Sequence, residues 1–255
     1  MADVVKHGKG TRILIGAHDF SGLGRSIDLT PVNTDMADAT TFSSVAKVKS
    51  AGSYKGKVDH KGIYSNVVSG WDNWLVSKLG SMSGQPISIL PGITSNGDVA
   101  YHGEIKSSKV SVPVSINDVI AVEASYEIHK ALARGKLMAD ATVLVGQDIS
   151  GIASSKINLG ECTANDQIMV TMHITEHAYS GTYQIYLMQG SGDSIYTRGG
   201  VSGVQVITGA NSGNIASAVF RHIGSCADYL RIGTAQSYSA EAKYTVVASK
   251  IHKSE

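Results

Sequence analysis

Apolar residues recur at every second position over much of this chain. The clearest runs are 103–116 and 119–130. In the first, Val110, Val112, Val114 and Ile116 alternate with Lys109, Ser111, Pro113 and Ser115. In the second, Ile120, Val122, Ala124, Tyr126 and Ile128 alternate with Glu123, Ser125, Glu127 and His129. Successive side chains of a strand point to opposite faces, so each run has one apolar and one polar side. Asn117-Asp118 between them predicts a hairpin turn. Pro113 lacks a backbone donor and favours an edge or a bulge.

One segment breaks this period. Trp71, Trp74, Leu75 and Leu79 follow helical spacing, and Ser69 stands three residues before Asp72 as in a capping box. Gly80 is a natural stop, which predicts one helix over 71–79. Aromatic residues at that spacing are expected to pack the helix onto a sheet. Beyond a boundary near Gly135–Asp140 the chain reads as short strands between turn clusters. They are 141–145, 156–159, 167–175, 182–189, 204–207, 215–220, 229–232 and 244–248. Many short strands without helices between them indicate a β-sandwich. The expectation is a mainly β protein with two domains, 1–136 and 140–255.

Composition narrows the function. The 255 residues carry 22 basic and 21 acidic side chains, so bulk positive charge cannot hold the chain to nucleic acid. Glycine is frequent (28) and proline rare (4), which suits tight turns between strands. Two cysteines, Cys162 and Cys226, are too few for a disulfide scaffold and read as reduced, buried thiols. No apolar run approaches the roughly 20 residues of a membrane helix. The start of the chain lacks the apolar stretch of a signal peptide, so a soluble protein of a reducing cytoplasm is expected.

Candidate chemistry is sparse. His173-Ile-Thr-Glu-His177 has the letters of an inverted zinc-peptidase motif. That motif needs a helix, whereas 167–177 alternates. On a strand its two histidines would stand about 13 Å apart, too far to share a metal, and a solvated strand face is the expected setting. The glycines around 8–10 and 22–24 lack the rest of a phosphate loop. Neither Asp98 nor Glu104 has an evident acid partner. No catalytic, cofactor-binding or metal site is expected. One cluster stands out: Lys47, Lys49, Lys55, Lys57, His60 and Lys61 against the single acid Asp59. Lys55, Lys57, Asp59 and Lys61 share one face of an extended arm. Three settings fit it: a solvated hairpin, a nucleic-acid patch flanked by Tyr54 and Tyr64, or an arm meeting an acidic surface on a neighbouring subunit.

An ordered series of motifs resembles the major tail proteins of long-tailed phages, which are tail tube subunits. The series is His18-Asp-Phe-Ser-Gly22, Arg25-Ser26 and Asp38-Ala-Thr-Thr-Phe42. It continues through a long loop, a strand at 61–66, the helix at 71–79 and a strand at 85–91. It closes with Tyr101-His-Gly-Glu104, the alternating hairpin and Leu132-Ala-Arg-Gly135. The resemblance covers about 13–136, and the remainder is similar to an extra C-terminal β-sandwich carried by some tube proteins.

The resemblance implies a tail-tube-type β-barrel or sandwich with one flanking helix, followed by the C-terminal β-sandwich. It also implies a non-enzymatic virion protein, assembled in the host cytoplasm, that forms stacked hexameric rings. DNA would pass through the lumen without specific binding. Tape-measure, tail-tip and tail-terminator proteins would be partners, and no membrane would be involved. The family's ring-stacking loop falls on Lys47, Lys49, Lys55, Lys57 and Lys61. A lumen must not bind phosphate, so the acidic face of Glu123, Ser125 and Glu127 is a candidate wall. The contrasting reading is a carbohydrate-binding or adhesin β-sandwich on a virion or cell surface, with Tyr179, Tyr183, Tyr186 and Tyr196 as stacking platforms.

Overall fold

The computed structural model describes residues 10–22, 24–29, 33–38, 49–64, 71–81, 83–92, 95–114, 120–143, 151–152, 157–160, 163, 166–177, 181–190, 204–209, 216–223, 229–236 and 242–252. The elements are β1 (Arg12–Ile15), β2 (His18–Asp19), β3 (Gly24–Leu29), β4 (Asn33–Asp38), β5 (Lys49–Lys55), β6 (Lys57–Ile63) and α1 (Trp71–Lys78). They continue with β7 (Gln85–Leu90), β8 (Val99–Ser111), β9 (Ala121–Val143), β10 (Gly151–Ile152), β11 (Ile157–Asn158) and β12 (Asp166–His177). The last are β13 (Gly181–Gly190), β14 (Val204–Gly209), β15 (Ala216–Ile223), β16 (Tyr229–Gln236) and β17 (Ala242–His252). The mainly β expectation holds, with one short helix among the described residues.

The contacts divide the chain into one unit of 1–21, 85–103 and 133–255 and a second of 22–84 and 104–132. This differs from a cut at 136/140. That expected boundary falls inside β9, which runs unbroken for 23 residues. The change of composition near Gly135 marks a change of neighbours along one strand. Residues 121–127 pair with β6, and 136–143 pair with β17.

In the first unit the hydrogen-bonded order is β15-β12-β17-β9-β8-β7-β1-β2. The sheet curls, so that β12 also lies against β7 and β2. Leu14, Leu90, Ala100, Leu137 and Val247 form a fully buried cluster, one residue from each of β1, β7, β8, β9 and β17. Residues 168–174 of β12 and 244–249 of β17 are buried on both faces, which is why these runs are apolar with little alternation. Between β1 and β2, Gly16 and Ala17 form a two-residue hairpin turn in which Gly16 takes φ 60°. Only glycine adopts that first-position conformation without strain. A second sheet in this unit runs β10-β16-β13-β14, with β11 also beside β16.

In the second unit β6 lies between β3 and β9, antiparallel to both. Val58 and His60 of β6 and Val122, Ala124 and Tyr126 of β9 are buried, as alternation predicts. The helix also follows its expectation. Leu75 is fully buried, and Gly80 takes φ 74° just past the last turn. Lys78 Nζ lies 6.0 Å from the centre of the half-buried Trp74 ring. Leu79, expected on the apolar face, falls just after the helix and is 40% exposed. Ser69 of the capping box, the Trp71 side chain and the hairpin turn at 117–118 lie outside the described residues.

Gly135 sits where β9 meets β17. A Cβ there would stand 2.4 Å from the Ala248 carbonyl oxygen and 2.8 Å from His102 Nε2. Gly135→Ala therefore forces two paired backbones apart. It should cost about 2–3 kcal/mol, or roughly 5–10 °C in thermal midpoint. Gly22→Ala, with nothing within 4 Å, should melt like the parent. A chain ending at Met138 would lose β12 and β17 from the first unit's sheet. It should show no cooperative melt by near-ultraviolet circular dichroism, whereas a cooperative melt would mean residues 1–138 fold alone.

Candidate functional site

Two of the five lysines, Lys57 and Lys61, share one face of the second unit with the acidic set, expected on a separate surface. The β6–β9 register opposes Lys57 to Glu127, Asp59 to Ser125 and Lys61 to Glu123. On the other side of β6, Asp28 of β3 opposes Asp59. Lys61 Nζ pairs with Glu123 Oε1 at 2.8 Å, and Lys57 Nζ pairs with Asp59 Oδ1 at 2.8 Å. Ser125 Oγ donates to the same Asp59 oxygen at 2.6 Å. The hydrogen bond from Lys57, helped by Ser125, lowers the Asp59 pKa, while the bond to Glu123 raises that of Lys61.

Two lysines of β6 thus share a face with four carboxylates, Asp28, Asp59, Glu123 and Glu127. Lys opposes Glu at two β6–β9 positions, while Asp28 and Asp59 stand acid against acid. The two-residue period of each strand puts every second residue on one face, and strand pairing brings the two sets together. Pairing between strands distant in sequence is what periodicity alone could not supply. Of the remaining lysines, Lys49 and Lys55 lie in β5 opposite Asp38 and Asn33 of β4. Lys47 lies outside the described residues.

His173 departs from the expected solvated face. It is fully buried in β12, with Nδ1 2.5 Å from the Gly16 carbonyl and Nε2 2.8 Å from Ser88 Oγ. A carbonyl only accepts, so Nδ1 carries the proton and Nε2 accepts from the serine hydroxyl. Both nitrogens are engaged in the core, which takes this residue out of metal-ligand chemistry. The strand expected for 167–175 is present, and the side chain of His177 lies outside the described residues. His102 Nδ1 shares a 2.8 Å hydrogen bond with Thr171 Oγ1, again across the curled sheet. Sequence alternation missed both because β12 has no solvent face.

The His18-Asp-Phe-Ser-Gly22 motif proves to be a local brace. Asp19 Oδ1 accepts from the Ser21 amide at 2.9 Å and also from its hydroxyl. Ser21 Oγ accepts from the Ile13 amide at 3.0 Å. Arg12 bridges Asp19, at 3.0 Å, and Asp140, which accepts from Thr245 Oγ1 at 2.8 Å. Burial opposes ionisation of Asp19, but the Ser21 hydrogen bonds and Arg12 outweigh it and lower its pKa. Asp98 likewise caps a turn, accepting from the Ser95 amide at 2.9 Å. Cys162, Cys226, Tyr179 and Tyr196 lie outside the described residues, and Tyr183 and Tyr186 are described only as backbone of β13.

No family model matches the chain, and no curated protein matches it. Among solved structures, a protein of the virion of a native gene transfer agent particle aligns at 16% identity and TM-score 0.37, covering 51% of this chain and 98% of that one. A protein from the tail of an empty gene transfer agent particle aligns at 14% and 0.34, covering 48% and 93%. The Dit protein of phage SPP1, described as a paradigm of the hub adsorption apparatus, aligns at 8% and 0.35, covering 95% and 100%. These are distant likenesses in fold.

Burial lowers the pKa of His60 to about 4, of His102 to about 3 and of His173 to about 4. The unfolded chain would take up these protons near pH 6.5, so their stabilising effect is complete above that pH and is lost as pH falls toward 4. The thermal midpoint should fall by about 10 °C or more between pH 7 and pH 4.5, before most carboxylates titrate. A midpoint flat over that window would show that these imidazoles are not held neutral.

Proposed function

We propose that this chain is a structural subunit of a phage tail tube. It polymerises as stacked hexameric rings around the channel through which DNA is ejected. The ordered motif series over 13–136 carries this reading. The bracing seen around Asp19 and the close approach at Gly135 give two of those motifs a physical purpose in the fold. Assembly would occur in the host cytoplasm, with tape-measure, tail-tip and tail-terminator proteins meeting the ends of the polymer.

The β3–β6–β9 face supports a role in contact between copies more than a role as a phosphate-repelling wall. A repelling wall would present carboxylates alone, whereas here Lys57 and Lys61 stand among them and pair with Asp59 and Glu123. A surface of mixed charge in a fixed register is instead directional. It selects a complementary partner and register more than it adds affinity. Lys57 and Lys61, the two members of the ring-stacking set that lie on this face, would act there.

Negative-stain microscopy of the purified full chain tests the reading. Rings or tubes with a central hole are expected, shortening as salt is raised from 0.1 M to 1 M and the screening length falls from about 10 to about 3 Å. A monodisperse monomer at every concentration and salt would overturn it.

A further inference from the structure

The first unit carries an open groove of about 470 Å³ lined by Val99, Arg134, Lys136, Asn158, Ser249 and Lys250, among others. Its charge is one-sided. Lys136 Nζ donates to the Asn158 carbonyl at 2.7 Å, which spends a hydrogen bond but no charge. Lys250 Nζ stands 3.3 Å from Asp166 Oδ2. That carboxylate is buried and also accepts from the Thr163 amide at 2.7 Å and hydroxyl at 2.9 Å. Arg134 is exposed and has no hydrogen bond or ion pair among the described residues. The hydroxyl of Ser249 is buried and likewise has no partner among them. Three cations against one buried carboxylate, with a spare hydroxyl, make a concave site for anionic oxygen.

The second unit carries the complement. On the β3–β6–β9 face, Asp28 and Glu127 flank β6 and have no ion pair among the described residues, while Lys57 and Lys61 are engaged by Asp59 and Glu123. The face holds two spare negative charges and the groove two spare positive ones. Resting on the reading that copies assemble, we propose that the groove of one copy receives the Asp28 and Glu127 carboxylates of a second copy. The two surfaces differ, so the contact is heterologous. Each copy keeps one of each surface free, and association must close into a ring or continue as a filament. Carboxylates set in a strand face suit a concave basic groove braced by Asp166. A nucleic-acid track would favour an open basic row without a fixed acid.

Charge reversal in the full chain tests this, with sedimentation velocity as the readout. Arg134→Glu and Glu127→Lys should each raise the concentration needed for assembly by about tenfold or more. The double variant should recover to within about threefold of the parent, the signature of a direct pair. Unchanged thermal midpoints check folding. In the unaltered protein, carbodiimide crosslinking of mixed light- and heavy-isotope chains should join Lys136 or Lys250 of one copy to Asp28 or Glu127 of another. Single variants that assemble like the parent, an unrescued double variant, or crosslinks only within one chain overturn the inference while leaving the tube reading standing. Loss of binding to a labelled DNA duplex in Arg134→Glu, with assembly unchanged, would assign the groove to nucleic acid and also overturn it. A parent chain that never assembles overturns the inference and the reading together.

Discussion

A neutral imidazole held at both nitrogens is the constraint on which the first unit depends. His173 is buried without a counter-charge, so its two polar atoms must each find a partner or cost several kcal/mol. The partners are the Gly16 carbonyl and the Ser88 hydroxyl. Meeting both requires β12 to cross in front of β7 and of the β1–β2 turn, which is the curl of the sheet. The turn must in turn present its carbonyl, and Gly16 at φ 60° allows that. Two residues along β12, Thr171 makes a second contact of this kind through one nitrogen only, His102 Nδ1. Gly135 then lets β9 and β17 close beside the His102 ring. Remove the bonding at His173 and each later step loses its reference point.

The second unit is organised by charge on the surface. Between β6 and β9 its face sets opposite charges side by side, Lys with Glu at two of three positions, whereas β3 adds Asp28 opposite Asp59. The apolar reverse of the same strands, Val58, Val122, Ala124 and Tyr126, fixes the register, since a one-residue slip would turn these side chains to water. Burial on one face thus dictates the charge pattern on the other.

Much of the secondary structure was legible in sequence. The strands at 167–175, 182–189, 204–207 and 244–248 occur where their periods put them, and the helix expected at 71–79 spans Trp71–Lys78. Legibility ended at long-range pairing. Composition shifts near Gly135, but β9 passes through that point, because a strand can change partners without changing course. Alternation assigned His173 to water, since polar residues on strands usually face it. On β12 both faces are covered, and a partnered imidazole is as admissible as an isoleucine. The acidic stripe lies on one face of β9, but the lysine stripe holds only for Lys57 and Lys61. The expected single arm is divided at Gly56, and Lys55 belongs to the separate β4–β5 pair. Only the pairing of β6 with β9 revealed that these two lysines and the acids are a single surface.

The most direct measurement is a cryo-electron microscopy reconstruction of the assembled full chain. The account predicts rings in which the β3–β6–β9 face of each copy is buried against its neighbour, with Lys57, Lys61, Asp28 and Glu127 inside the contact. A reconstruction in which that face lines an open channel or points outward to solvent would contradict it.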